Sequence, residues 1–198
     1  MPKIYLKLDR EPNAYTYGTE KKSITIHSGL IECLEDDELY AVLAHECGHI
    51  ACNHVLYHTI GALILDGGHF GVKKAESILS KTIIGSIATA TTEATLGLAF
   101  YHWQRCSELS ADRIAVICCG SATPVIESMM RLAGGTTHID AEINTELFIA
   151  QAEYQKLTEE NKGNKLLEFG LTYNHVHPLL AVRALEHKNL LIQRNLRN

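Results

Sequence analysis

The sequence predicts an α+β fold, mainly helical, with a small antiparallel β-sheet at its N-terminus. Three observations carry this expectation. Three short β-leaning runs, at residues 4–8 (IYLKL), 14–17 and 23–27 (SITIH), are separated by the turn formers Pro12, Asn13 and Gly18. Beyond residue 35 the apolar pattern turns helical, and no internal repeat or low-complexity stretch interrupts it. At 198 residues the chain reads as one domain, 1–198, large enough to bury a core without disulfides.

The elements follow in order. The cluster Glu35-Asp36-Asp37-Glu38 opens a helix, because negative charge suits the positive end of the helix dipole. Leu39, Val42, Leu43 and Ile50 supply its apolar positions. Residues 72–119 read as helical, in two or three segments. Within them, Thr82–Gln104 is long enough for a bilayer crossing of roughly 20 residues. Glu93 would then lie near mid-membrane at a cost of about 2.5–3.5 kcal/mol, so a buried or interface-lying helical segment is expected instead of a span. Thr123-Pro124 reads as an N-cap followed by Pro at the first helical position, and Gly134-Gly135 ends that helix. Another helix is expected over 140–160, with Asn161–Asn164 as its exit loop, and Pro178 begins a last one.

Composition narrows the function. Hydrophobic residues at 46% and charged residues at 21% describe an ordinary globular chain. A net charge of −5 without any Lys/Arg-rich stripe gives no footprint for a nucleic acid. Eleven histidines are the one compositional pointer to metal chemistry. The six cysteines show no framework spacing, and MPKIYLKLDREPN lacks the apolar core of a signal peptide. Reduced thiols and a cytoplasmic location are expected, and peripheral membrane association is compatible with them.

The stretch AVLAHECGHIACNH carries the chemistry. On a helix, positions i and i+4 lie one above the other, so His45 and His49 can aim ring nitrogens at one point. Glu46, one residue round, would set its carboxylate beside the open coordination position of a zinc ion. There it could take a proton from a zinc-bound water of pKa about 7. Two incidental histidines on an ordinary helix are the bland alternative, and H-E-x-x-H on a strongly helical segment favours the metal. A metzincin arrangement would need glycine at position 52 and histidine at position 55, where this chain has Cys52 and Val55. A third ligand must come from elsewhere. QRCSELSADRIAV places Glu108 and Asp112 four apart on one helix face. One could bind the metal while the other accepts a hydrogen bond from a ligand histidine and fixes its tautomer. Alone, the pair would read as a solvated face with Arg105 and Arg113.

Taken together, HECGH and, 59 residues beyond His49, E-L-S-A-D resemble the paired motifs of the HtpX-like zinc metalloproteases, gluzincins related to the CAAX prenyl endopeptidases. NAYTYG at 13–18, DDELYAVLAHECGHI and HPLLAVR at 177–183 resemble further segments of that family, in the same order, so the resemblance covers most of the chain. It implies a zincin-like domain in which His45, His49 and Glu108 ligate Zn2+, Glu46 is the general base and Asp112 supports a ligand. It further implies that the strand at Asn13, Ala14 and Tyr15 lies along the cleft, where an edge strand can hold an extended peptide or unfolded protein. His177 and Arg183 look like the family's late positive elements. One of them could stabilise the oxyanion or lock the third-ligand helix, with His177 ranked first for the oxyanion; the bland alternative for His177 is a helix-start histidine before Pro178. Membrane-embedded relatives carry convincing spans around these motifs, and this sequence does not.

Other residues are given lesser roles. His54 resembles a histidine often found in that family five residues past the second ligand, but His54 and His58 lie roughly opposite His45 on the helical wheel and read as capping or surface groups. Cys52 lies on the ligand face and reads as a small buried residue, Cys106 falls on another face, and the other histidines have no visible partner. The expected activity is zinc-dependent endopeptidase. The alternatives are a catalytically silent, zinc-stabilised interaction domain, which would have a fourth protein ligand, or a latent protease covering its own cleft.

Overall fold

The computed structural model describes residues 1–58, 83–134, 144–150 and 180–195. Three strands, β1 (Lys3–Lys7), β2 (Ala14–Tyr17) and β3 (Ser23–His27), are followed by helices α1 (Ser28–Cys33), α2 (Asp36–Ala51), α3 (Ile83–Cys119), α4 (Thr123–Gly134) and α5 (Leu180–Asn195). The fold is α+β and mostly helical, as the sequence predicts.

The sheet differs from the expected antiparallel one. Its order is β1-β3-β2, with β2 antiparallel to β3 but β1 parallel to it. The segment after β1 explains this. It crosses the start of α1, where Gly29 N donates to Asp9 O at 2.8 Å and the Ser28 hydroxyl donates to the same oxygen at 2.9 Å. β2 therefore starts on the far side of β3. The crossing requires glycine, since a Cβ at Gly29 would lie 2.1 Å from the Arg10 carbonyl oxygen. Period-2 alternation in β3 buries Ile24 and Ile26 against Ala14, Leu30, Cys33 and Leu34. Every residue of β1 is exposed.

Helix α2 lies between this small core and a larger one built by α3, α4 and α5. Its start is closed by a reciprocal capping box. The Glu35 side chain accepts from the backbone at Glu38, and Glu35 N donates to Glu38 Oε2 at 2.8 Å. The other Glu38 oxygen accepts from Arg131 Nε of α4 at 2.6 Å, so one carboxylate caps α2 and ties it to its neighbour. At the far end, Lys22 Nζ donates to the Ile50 carbonyl at 3.1 Å, and Asn53 turns the chain with φ 55°.

Against α2 packs α3, one continuous helix of 37 residues where two or three segments were expected over 72–119; 72–82 lie outside the described residues. A Cβ at Gly48 would meet Ala111 Cα at 3.0 Å, so glycine lets the two helices approach closely. Ala41, Ala44 and Ala115 continue this seam into the core shared with Val125, Ile126, Met129, Val182 and Leu185. Helix α4 begins at Thr123 itself, with Pro124 inside its first turn. Residues 145–150 are helical, and the rest of the expected 140–160 helix, its exit loop and Pro178 lie outside the described residues. No helix among the described residues is long and apolar enough to cross a membrane.

Candidate metal centre and cleft

The i,i+4 geometry of α2 brings His45 and His49 together, with their Nε2 atoms 3.0 Å apart. Glu108 faces them from α3. Its Oε2 lies 3.5 Å from His45 Nε2 and its Oε1 3.4 Å from His49 Nε2. All three side chains are buried, and one ligand atom from each falls within 4.8 Å of the others. A tetrahedral ion with bonds of about 2.0–2.2 Å needs ligand atoms roughly 3.3–3.5 Å apart, which these separations approach.

The charges also fit a divalent ion. Glu46, Glu108 and Asp112 are each at most 2% exposed, and Arg183 is the guanidinium buried among them. Three carboxylates against one guanidinium leave two negative charges in excess, the amount a dication neutralises. The donor set is therefore suited to zinc.

Asp112 is held on every side. Its Oδ1 lies 2.7 Å from His45 Nδ1, Arg183 donates to both of its oxygens, and His187 Nε2 lies 3.3 Å from Oδ2. Burial opposes ionisation of this carboxyl, but Arg183 first and then His45 hold it well below the usual carboxylate range. Burial likewise pushes the His45 imidazole down, and Asp112 and Glu108 outweigh it, so its pKa stands above the ordinary value. Arg183 Nη1 also lies 2.9 Å from Glu108 Oε2. One guanidinium thus joins the two carboxylates of α3 from α5.

Glu46 is 1% exposed, and its Oε2 accepts from the Thr16 hydroxyl at 2.6 Å. Thr16 lies on β2, so the edge strand and α2 are tied at this carboxylate. A cavity of about 260 Å³ opens beside it. His45, Glu46 and Arg183 are among its polar groups, and Leu30, Val42, Met129 and Leu132 are among its apolar walls. Asn13 and Ala14 line it, whereas Tyr15 packs its ring edge-on against His27 at 5.9 Å. His177 lies outside the described residues.

His54 overturns an expectation. It is buried, 7% exposed, with Nδ1 3.1 Å from His49 Nδ1. The helical wheel holds only where α2 continues past Cys52; instead the left-handed Asn53 redirects the chain. His58 packs its ring against Phe100 and Trp103. Thr16 and His187 were also missed. Both had a signal: Thr16 shares a strand face with Ala14, and His187 is four residues beyond Arg183. Cys52 is half-buried at the end of α2, and Cys106 is exposed; all six cysteines are free thiols.

Two buried histidines and a glutamate converging from two helices, beside a cleft edged by a strand, define a candidate metallohydrolase centre. The chain belongs to peptidase family M48, whose sequence profile matches residues 2–190. It is 32% identical over 206 residues to the plastoglobule-localized metallopeptidase 48, chloroplastic, of Arabidopsis thaliana, covering 98% of this chain and 56% of that protein. It is 33% identical over 89 residues to a protease HtpX homolog of Tropheryma whipplei (strain Twist), covering 44% of this chain and 28% of that protein. The chain thus spans about half the length, or less, of these relatives. No solved structure matches it significantly. Family membership makes it a peptidase-family protein.

Proposed function

We propose that the chain is a zinc-dependent endopeptidase, with His45, His49 and Glu108 as ligands and Glu46 as general base. The observation that carries this reading is the convergence of those three ligand groups within 4.8 Å, next to a buried Glu46 that faces the cavity. A zinc ion there would polarise the scissile carbonyl and acidify a water molecule. Glu46 takes the proton from the attacking water and returns it to the leaving amine. Thr16 holds the carboxylate in place through Oε2. Asp112 keeps His45 in the tautomer that turns Nε2 toward the ligand group, and Arg183 fixes Asp112.

Substrate placement follows from β2. A peptide pairing antiparallel to it would run from the Tyr17 end toward Ala14, which puts the residues after the scissile bond beside the cavity. The cavity meets His45 and Glu46, the side on which the leaving amine collects its proton. Its apolar walls favour an apolar side chain directly after the cut. His177 is retained as the proposed oxyanion group. The test is digestion of casein by the zinc-loaded chain beside Glu46→Gln at matched metal content. Cleavage by the wild type alone supports the reading; equal turnover in Glu46→Gln excludes Glu46 as the base.

A further inference from the structure

The two histidines of the centre are supported in different ways. His45 rests on an ionised carboxylate that is clamped by a guanidinium. His49 instead meets a third histidine. The His54 ring stands at 73° to it with centroids 5.0 Å apart, and the two Nδ1 atoms are 3.1 Å apart. His54 Nε2 lies 3.3 Å from Ser110 Oγ. That hydroxyl is itself 2.9 Å from the Ser107 carbonyl and 3.0 Å from the Cys106 carbonyl, both on α3.

These contacts admit one consistent direction of donation once His49 Nε2 is turned to the ligand group. If His49 Nε2 faces the ligand group, its Nδ1 carries the hydrogen and must donate it. His54 Nδ1 then accepts, so the His54 hydrogen sits on Nε2 and is donated to Ser110 Oγ. The Ser110 hydroxyl donates onward to an α3 carbonyl. The chain of donors runs from α2 through His54 to the helix that bears Glu108, two residues before Ser110, and all of its side chains are neutral. Neutrality matters for the charge balance. A carboxylate at the position of His54 would add a third excess negative charge to a centre that a dication otherwise balances.

We propose that His54 is a positioning residue of the metal centre. It accepts the His49 Nδ1 hydrogen and, through Ser110, locks His49 in the tautomer and ring orientation that present Nε2. This inference rests on the proposed His45–His49–Glu108 metal site. Asn53 makes it feasible, because its left-handed backbone turns His54 back beneath His49 instead of carrying it onward along α2.

The test is zinc affinity, measured by competition with a chromophoric chelator, together with the visible spectrum of the Co2+-substituted protein. His54→Leu should weaken zinc binding by about 10–100-fold, the usual effect of removing a partner of a ligand histidine. It should also alter the Co2+ absorption bands. His54→Asn, whose amide oxygen can accept near the Nδ1 position, should restore most of the affinity. Ser110→Ala should weaken binding in the wild type and add little in the His54→Leu background, since both act on one chain of bonds. Wild-type affinity and spectrum in His54→Leu would overturn the proposal, and so would His54→Asn as weak as His54→Leu. If His54→Leu does not fold, unchanged affinity in Ser110→Ala overturns it instead. A wild-type chain that binds no zinc would be a failure of the metal-site reading itself, visible before any variant is made.

Discussion

Arg183 and Asp112 form a buried two-point ion pair between helices 71 residues apart in sequence, with Nε 2.8 Å from Oδ2 and Nη2 2.5 Å from Oδ1. Removing one member of such a pair strands the other charge away from water, at a typical cost of about 3–5 kcal/mol. Arg183→Leu should lose stability on that scale in urea denaturation. Arg183→Lys should recover only part of it, because a single ammonium cannot reproduce the fork. A loss below about 1 kcal/mol would mean that the pair is not buried in solution.

The acid side of the stability profile should carry the signature of Asp112. Its folded pKa is depressed below the unfolded value of 3.8, so its contribution is complete above that value and vanishes as pH falls through the folded one. For metal-free protein, the difference in urea midpoint between wild type and Asp112→Asn should be constant from about pH 5 to 6 and begin to shrink below about pH 4. His45 has the opposite sign. Its raised pKa gives stability that is present below 6.5 and lost as pH rises through the folded value, which is why the window stops near 6. A difference that persists undiminished to pH 3 would contradict this assignment.

Thr16→Val keeps the shape of β2 and deletes the 2.6 Å hydrogen bond to Glu46. A hydrogen bond to a charged group contributes about 1.5–3 kcal/mol, which corresponds to a fall in kcat of roughly 10–150-fold at unchanged zinc content. Unaltered kcat would show that Glu46 needs no such support.

The cavity wall should set the cleavage preference. Leu132→Phe narrows the space beside Glu46 and should shift cleavage of a peptide library toward smaller apolar residues after the scissile bond. The preference before the scissile bond should not move. A shift on that side instead would reverse the proposed direction of the substrate.

Gly48→Ala tests the seam between α2 and α3. Its new methyl meets Ala111 backbone at 3.0–3.1 Å, so the helices must part by a few tenths of an ångström. Overpacking of this kind costs about 1–3 kcal/mol. Because Glu108 rides on α3, zinc affinity should fall as well as thermal stability. Equal affinity would show that α3 shifts without carrying Glu108 out of range.

Much of this arrangement was legible because its periodicity is local. Four-residue spacing puts His45 with His49 and Glu108 with Asp112, and an acidic run marks the start of α2. The parallel partner of β1 was not legible, since strand order depends on where the crossing segment packs, and that depends on Gly29 and Asp9 meeting across 20 residues. His54 was misplaced because one left-handed residue, Asn53, voids the wheel on which it was drawn. The unbroken length of α3 was obscured by its threonines and glycines, which weaken helical pattern without ending the helix.

The reach of Arg183 across 138 residues to the neighbourhood of His45 has a consequence for biosynthesis. A nascent chain that has released α2 and α3 from the ribosome holds all three proposed metal ligands but lacks the Arg183 guanidinium that lies beside both Asp112 and Glu108. The centre cannot set until α5 has emerged and docked. On the proposed reading, hydrolytic competence follows the synthesis of α5, and a chain still short of that helix is kept from digesting its neighbours by the order in which its own residues are made.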